Sequence, residues 1–126
     1  MKIQISSNHA PKPIGPYSQA IKLDNLIFIS GQIAINPKTN LLVKTSIQAE
    51  TRMIMENIKF ILLESACTFD NVVKCSIFLS DMTQFNEVNK VYGEYFQNPY
   101  PARETVEVTR LPKNVNVEIS AIAICK

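Results

Sequence analysis

The chain of 126 residues contains little glycine, histidine or cysteine, and each scarcity excludes a class of function. Three glycines are too few for a glycine-rich loop that cradles phosphates. A single histidine, His9, argues against a histidine-based metal site and against a ribonuclease acid–base pair. The three cysteines lack C-x-x-C spacing, so they predict neither a zinc site nor a disulfide framework, and we expect reduced thiols.

Long runs of one kind of side chain are also missing. Thirteen basic and 11 acidic residues give a net charge of +2, and the basic residues are scattered rather than gathered into the patch typical of nucleic-acid binding. No stretch approaches the ~18 apolar residues that span a bilayer, and the N-terminus does not resemble a signal peptide. We therefore expect a cytoplasmic protein with no nucleic-acid partner and no membrane partner.

The apolar periodicity predicts both strands and helices. A period of two predicts a short strand before residue 8 and longer strands at 17–23, 26–35, 72–80, 103–109 and 115–125. A helical period predicts two helices, at 46–66 and 84–96. Thr45 and Gln48 have the spacing of a capping box at the first helix, and Asn40 suits a left-handed turn.

This order of elements predicts an α/β fold of one domain, residues 1–126, in which two helices cover one face of a single mixed sheet as a two-layer sandwich. In the strand at 26–35, one face should carry Ile27, Ile29, Ile33 and Ile35. The uncovered face of the sheet should carry the apolar residues Phe28, Phe78, Ile122 and Ile124. It should also carry the polar residues Ser30, Gln32, Arg103, Thr105 and Glu118. Such a face indicates an oligomer with a site between subunits.

Two charged residues in predicted strands are candidates for chemistry. The guanidinium of Arg103 has a fork of donors that suits a carboxylate or a phosphate, although its spacing alone favours a solvated arginine at a strand end. Glu118 lies in the most apolar strand of the chain, so its carboxylate is exposed at a sheet edge, paired with a cation, or functional. A sheltered position raises the pKa of a carboxyl group and lets it move protons near neutrality.

Five segments in a fixed order carry a family resemblance. They are Ile-Gly-Pro-Tyr-Ser-Gln-Ala at 14–20, Ser-Gly-Gln-Ile at 30–33 followed by Asn-Pro-Lys-Thr at 36–39, Phe-x-x-Val-Asn-x-x-Tyr at 85–92, Pro-Ala-Arg-x-x-Val-x-Val at 101–108 followed by Leu-Pro at 111–112, and Val-Glu-Ile-x-Ala-Ile-Ala at 117–123. Together they resemble the RidA/YjgF family of reactive-intermediate deaminases. The resemblance covers nearly the whole chain.

The resemblance implies a fold, an assembly and a reaction. The fold would be the chorismate-mutase-like sandwich, assembled as a homotrimer with its sites between subunits. The reaction would be hydrolysis of 2-imino acids and their enamine tautomers, such as 2-iminobutanoate, 2-iminopropanoate and 2-aminoacrylate, to 2-oxo acids and ammonia. This activity would prevent damage to pyridoxal-phosphate enzymes. The resemblance implies no cofactor and no metal.

The resemblance also implies roles for particular residues. Arg103 would bind the substrate carboxylate, and Glu118 would orient or activate the attacking water. The backbone of Thr105 would contact the imine nitrogen, and Tyr17 would close over the substrate. Asn89 and the backbone of Ser30 and Gly31 would shape the pocket. Thr105 stands where the family often has cysteine, which puts thiol-dependent regulation in doubt.

Two other functions stay open at the level of sequence. One is a non-catalytic module that binds small carboxylates in the same cleft. The other is an endoribonuclease that inhibits translation, an activity attributed to some members of the family. The lone histidine and the absence of a basic stripe disfavour the ribonuclease.

Overall fold

Six strands form one sheet in the computed structural model, which describes residues 1–126. The strands are β1 (Ile3–Ile5), β2 (Ala20–Leu23), β3 (Leu26–Gln32), β4 (Val72–Leu79), β5 (Ala102–Glu107) and β6 (Val117–Ile124). Their order across the sheet is β1-β2-β3-β6-β4-β5, and only β4 and β5 are parallel neighbours. The predicted mixed sheet is therefore confirmed.

Two helices, α1 (Ile47–Leu63) and α2 (Phe85–Gly93), pack against one face of this sheet. Both are shorter than predicted. The predicted capping box of Thr45 and Gln48 is wrong by one residue, because the side chain of Ser46 accepts the hydrogen bond from the backbone N–H of Ala49. Asn40 has a φ of 61°, which confirms the predicted left-handed turn. Neither helix is both long and apolar enough to cross a membrane.

The side chains of β4 and β6 alternate between a covered face and an open face. The covered face packs against α1 and α2 in a core that includes Ile54, Ile58, Ile61, Ile77, Leu79, Val88, Ile119 and Ala121. The open face carries the predicted apolar set, with Phe28 and Ile124 each 42% exposed and Phe78 and Ile122 half-buried. Both helices lie on the other side of the sheet, and of these four residues only Phe78 packs against a small apolar cluster of the chain.

A β-bulge changes the face of β3 at Ser30 and Gly31. Ile29 pairs with Ala121 and Gln32 pairs with Ile119, so β3 contains one more residue than β6 between these two pairs. The prediction that Ile33 and Ile35 continue the face of Ile27 and Ile29 is therefore wrong. The two later isoleucines pack in a separate small cluster with Leu111 and Val115. Gln32, predicted on the open face, is buried instead.

The carboxylate of Glu50 on α1 fixes the start of β6. It is fully buried and accepts three hydrogen bonds, from the backbone N–H groups of Asn116 and Val117 and from the amide side chain of Asn116. These donors stand in for a cation, which a buried carboxylate otherwise needs. The contact anchors the residue that immediately precedes Glu118, so α1 helps to position a candidate site residue.

The structure corrects one expectation about the cysteines. Cys67 and Cys125 are joined by a disulfide, with their Cα atoms 6.0 Å apart, so the expectation of three reduced thiols is wrong for this pair. The sequence could not show it, because the two positions are 58 residues apart and meet only when the end of β6 packs beside the turn after α1. Cys75 is free and buried.

Candidate functional site

A cavity of about 390 Å³ opens beside the bulge of β3. Its lining comes from the loop before β2, from the bulge, from β6 and from the turn before β6. The lining residues used below are Lys12, Tyr17, Gln19, Ser30, Gly31 and Glu118. The volume lies in the range of about 300–1,000 Å³ that is typical of small-molecule sites. Glu118 is the only acidic residue of the lining, and Lys12 is the only basic one.

Gly31 makes room for the carboxylate of Glu118. A Cβ atom at position 31 would lie 2.8 Å from both Cδ and Oε2 of Glu118, closer than real Cβ contacts allow. The bulge brings the backbone of β3 against this side chain, which is why a residue without Cβ stands there. The lack of a side chain at Gly31 therefore leaves the space that the carboxylate occupies. Gly31 does not contribute a hydrogen-bond donor to it.

The Glu118 carboxylate has no partner within the chain. It accepts no hydrogen bond, and none of the three ion pairs includes it. Burial raises the pKa of this carboxyl group above its usual range, and no neighbouring charge opposes that shift. An unpaired, half-buried carboxyl group with a raised pKa is a candidate for general acid–base chemistry.

Gln19 fastens the loop that forms one wall of the cavity. Its buried side-chain amide donates to the backbone carbonyl groups of Ser7, Ala10 and Pro11, and its oxygen accepts from the N–H of Ser7 at 2.6 Å. The Ser30 hydroxyl donates to the carbonyl of Ser18 at 2.6 Å. These contacts set the loop against the bulge, and they leave the Tyr17 side chain 48% exposed at the cavity.

Arg103 lies on the edge strand β5, in contact with α2. Its Cζ atom is 5.6 Å from the ring centre of Phe85 and 5.0 Å from that of Tyr92, and Nη1 donates to Oδ1 of Asn89 at 2.6 Å. The three contacts recur at positions i, i+4 and i+7 of the helix, so they form one face. An aromatic platform and one amide hold the guanidinium, while its remaining donors have no partner in the chain.

The predicted face of Arg103 and Thr105 is wrong. In the parallel pairing of β4 and β5, Arg103 lies opposite Cys75 and Thr105 lies opposite Ile77, and both of these partners belong to the covered face. Because paired residues share a face, Arg103 and Thr105 point to the helix side rather than to the open face. The Thr105 hydroxyl is buried there without a hydrogen-bond partner.

The residues proposed from sequence therefore fall into two groups within one chain. Tyr17, Ser30, Gly31 and Glu118 line the cavity. Arg103, Asn89 and Thr105 lie at the β5 edge, and none of them lines that cavity. One strand, β4, lies between Glu118 on β6 and Arg103 on β5, and these two side chains point to opposite faces of the sheet.

Sequence reasoning missed the residues that hold these groups in place. Glu50 lies three residues after Ile47 and four before Ile54, so it falls within the apolar stripe of the helix. A carboxylate at such a position could have indicated a buried, hydrogen-bonded residue. Gln19 gave no such signal, because its partners are carbonyl groups of a loop. Cys75 lies opposite Arg103 on the neighbouring strand, and burial raises the pKa of its thiol, which favours the protonated form.

Comparison with known proteins places the chain in a family. The family model described as "Endoribonuclease L-PSP" matches residues 7–125. The chain belongs to the RidA/YjgF family. This RidA/YjgF protein is 53% identical over 123 residues to a RutC family protein of Pyrococcus horikoshii, and the match covers 98% of each chain.

Two further RidA/YjgF relatives bear on the site. The human 2-iminobutanoate/2-iminopropanoate deaminase is 43% identical over 120 residues, which are 95% of this chain and 88% of the human protein. The structure of E. coli TdcF with bound serine matches with a TM-score of 0.94 at 36% identity, over 98% of this chain and 99% of TdcF. The RidA/YjgF family thus includes imine deaminases. No three His, Cys, Asp or Glu side chains of this chain cluster as metal ligands.

Proposed function

We propose that this chain hydrolyses 2-imino acids and their enamine tautomers to 2-oxo acids and ammonia. The observation that carries the proposal is the unpaired, half-buried carboxyl group of Glu118 at the wall of a cavity. The identity to a human imine deaminase supports the same reaction. The serine bound to the related E. coli TdcF supports a site for a small molecule with a carboxylate.

The site in this proposal is shared between protomers of a homotrimer. Arg103 and Glu118 lie in separate groups within one chain, so a single protomer cannot place both on one small substrate. A head-to-tail interface around a threefold axis would bring the β5 edge of one protomer to the cavity of the next. The exposed apolar groups of the open face, including Phe28, Val106 and Ile124, supply area for such an interface.

The chemistry requires few groups. Arg103 binds the carboxylate of the imino acid through paired N–H donors, and Asn89 and the aromatic platform hold the guanidinium in orientation. Glu118, ionised, takes a proton from a water as its oxygen attacks the C=N carbon. Glu118 returns this proton to the nitrogen, which gives a neutral carbinolamine. It then transfers the proton of the new hydroxyl group to the nitrogen as the C–N bond breaks, so that ammonia leaves and the 2-oxo acid remains. Glu118 is regenerated, so atoms and charge balance without a cofactor.

The other proposed residues shape the substrate's position. Tyr17 closes the cavity from the loop that Gln19 holds, and the backbone of Ser30 and Gly31 forms the adjacent wall. Thr105 offers backbone groups for the imine nitrogen, because β5 pairs with β4 on one side only and its outer edge is unpaired. Positioning of this kind lowers the entropic part of the barrier.

The test of this function is turnover of an unstable imine. Threonine dehydratase acting on threonine in the presence of semicarbazide supplies 2-iminobutanoate, which partitions between trapping and hydrolysis. Added protein is expected to raise 2-oxobutanoate formation and lower semicarbazone formation in proportion to its concentration. If partitioning does not change while calorimetry detects binding of a small carboxylate, the chain is a binding module and the proposed reaction is wrong.

The description of the matching family model makes RNA cleavage a second candidate. The same preparation is incubated with a labelled RNA at low and high salt. Under the proposed function the RNA stays intact, because neither the cavity lining nor the Arg103 contacts include the chain's one histidine. Salt-sensitive cleavage that co-purifies with the chain would establish the ribonuclease instead.

Substituting Gly31 by alanine is expected to lower imine hydrolysis by about tenfold or more with little loss of stability. The new Cβ meets the flexible end of Glu118 at 2.8 Å, so the carboxylate turns away while the backbone stays in place. Gly93→Ala is the matched control, since a Cβ there meets no atom within 4 Å. Turnover and thermal unfolding are measured for both variants. Equal turnover of Gly31→Ala and wild type would mean that the position of Glu118 is unimportant.

A further inference from the structure

Lys12 is a second cation at the candidate site, and it forms no ion pair within the chain. It lines the cavity that Glu118 lines, and it takes part in none of the three ion pairs, which join Arg52 to Glu94, Lys59 to Glu56 and Lys74 to Glu104. Its ammonium group also donates no hydrogen bond within the chain. An unpaired charge beside a cavity acts on whatever anion enters it.

The backbone at Lys12 is fixed before any ligand arrives. Pro11 and Pro13 flank it, which restricts the backbone dihedrals on both sides. The amide of Gln19 donates to the carbonyl of Pro11 at 2.9 Å, so the loop is tied to the buried start of β2. Only the side chain of Lys12 remains free to adjust, and less ordering entropy is lost when it binds an anion.

The remaining lining of the cavity contributes no further charge. Apart from Lys12 and Glu118 it consists of uncharged residues, among them Ile14, Ile33 and Pro112. The volume of about 390 Å³ also accommodates more than the short aliphatic chain of 2-iminobutanoate. In the proposed function the carboxylate next to the C=N group is already bound by Arg103, so the charge of Lys12 remains for a different part of the substrate.

We infer that Lys12 selects imino acids whose side chain carries a second carboxylate. The inference rests on the proposed function, and it adds a substrate class to it: dianionic 2-imino acids, of which iminosuccinate is the four-carbon example. Arg103 of one protomer binds the carboxylate beside the imine carbon, and Lys12 at the cavity of the next binds the distal one. Lys12 also offsets the repulsion between Glu118 and the second negative charge.

The test compares two imines of equal carbon number. Iminosuccinate and 2-iminobutanoate are generated in situ by amino-acid oxidases, and kcat/KM is measured for each with wild type, Lys12→Met and Lys12→Glu. The ratio of the iminosuccinate value to the 2-iminobutanoate value is expected to fall about fivefold in Lys12→Met, a size set by the solvent exposure of the lysine. It should fall further in Lys12→Glu, because the new carboxylate repels the substrate.

A matched control and salt complete the test. Lys38 is also exposed and does not line the cavity, so Lys38→Met should keep the wild-type ratio. Added salt should lower the ratio in wild type and leave it nearly constant in Lys12→Met. If Lys12→Met lowers both kcat/KM values equally, Lys12 holds the carboxylate common to both imines and the inference is wrong. It is also wrong if Lys12→Met keeps the wild-type ratio.

Failure of the proposed function gives a different result. In that case wild type accelerates hydrolysis of neither imine, and binding decides the role of Lys12. Calorimetry then compares succinate with butanoate, which differ by the same distal carboxylate. Tighter binding of succinate that disappears in Lys12→Met supports the inference, and equal binding of both acids overturns it.

Discussion

Replacing Arg103 by alanine is expected to abolish detectable imine hydrolysis while the protein stays folded. Every tautomer of the substrate carries the carboxylate that Arg103 binds in our proposal, and hydrogen bonds to charged groups contribute about 1.5–3 kcal/mol each. Loss of two such bonds lowers the rate by about 100-fold or more, and misorientation of the C=N group adds to the loss. The measurement is 2-oxobutanoate release above the uncatalysed background, with circular dichroism and sedimentation as checks on fold and assembly.

Two arginine variants separate orientation from charge. Arg103→Lys keeps the charge but loses the planar fork and its packing on Phe85 and Tyr92, so it should recover little activity. Arg52→Ala removes another exposed arginine, one paired with Glu94 at 2.7 Å on the helix layer, and should leave turnover unchanged. Normal turnover in Arg103→Ala would show that Arg103 is only a solvated residue of the strand edge.

Replacing Glu118 by glutamine is expected to lower turnover by about 10²–10⁴-fold, the usual contribution of a general acid–base group. Glutamine keeps the size and polarity of the side chain, so ligand binding should remain. The pH profile gives a second signature. Because burial raises the pKa of Glu118, wild-type activity should fall, as the pH is lowered, at a higher pH than an ordinary carboxyl group would produce. Wild-type rates in Glu118→Gln would mean that this carboxylate is structural.

Stability measurements show whether Glu118→Gln is inactive because it lacks the proton-transferring group or because it is unfolded. A carboxyl group whose pKa is raised by folding binds its proton more tightly in the folded state. This tighter binding stabilises the folded protein at pH values below the pKa that Glu118 has in the unfolded chain. The stabilisation is lost as the pH rises through the higher pKa of the folded protein. Glutamine carries no charge at either pH. The melting temperature of Glu118→Gln, relative to that of wild type, should therefore be higher at about pH 8 than at about pH 4. Unfolding of Glu118→Gln at neutral pH would contradict this account.

Mixing the two inactive variants tests whether the site is shared. In trimers reassembled from equal amounts of Arg103→Ala and Glu118→Gln chains, about a quarter of the sites combine an intact Arg103 with an intact Glu118 from the next protomer. About a quarter of the wild-type activity should therefore return on mixing. A site contained in one chain would stay inactive in every mixture, and a monomeric protein in sedimentation would exclude the shared site directly.

The sequence alone determined the kind of fold and the family. The helical periods around Ile54 and Val88, and the alternation in β4 and β6, were sufficient because each pattern depends only on neighbours along the chain. Glu118 was also found in this way, since a carboxylate in a strand of Val, Ile and Ala is unusual whatever that strand pairs with. The ordered motifs identified the family, which the match over residues 7–125 shows.

The tertiary structure decided which residues meet. Alternation along a strand states which side chains share a face, but not which face is covered, and one extra residue reverses the pattern. The bulge at Gly31 reversed it for Ile33, and the parallel pairing of β5 with β4 turned Arg103 toward α2. Three further contacts join residues that are distant along the chain and meet only through packing. They are the disulfide between Cys67 and Cys125, the hydrogen bonds of Glu50 to the start of β6, and those of Gln19 to the loop before β2. The tertiary structure also decided the separation of Arg103 from Glu118 within one protomer. This separation depends on the order of the strands across the sheet, which differs from their order along the chain.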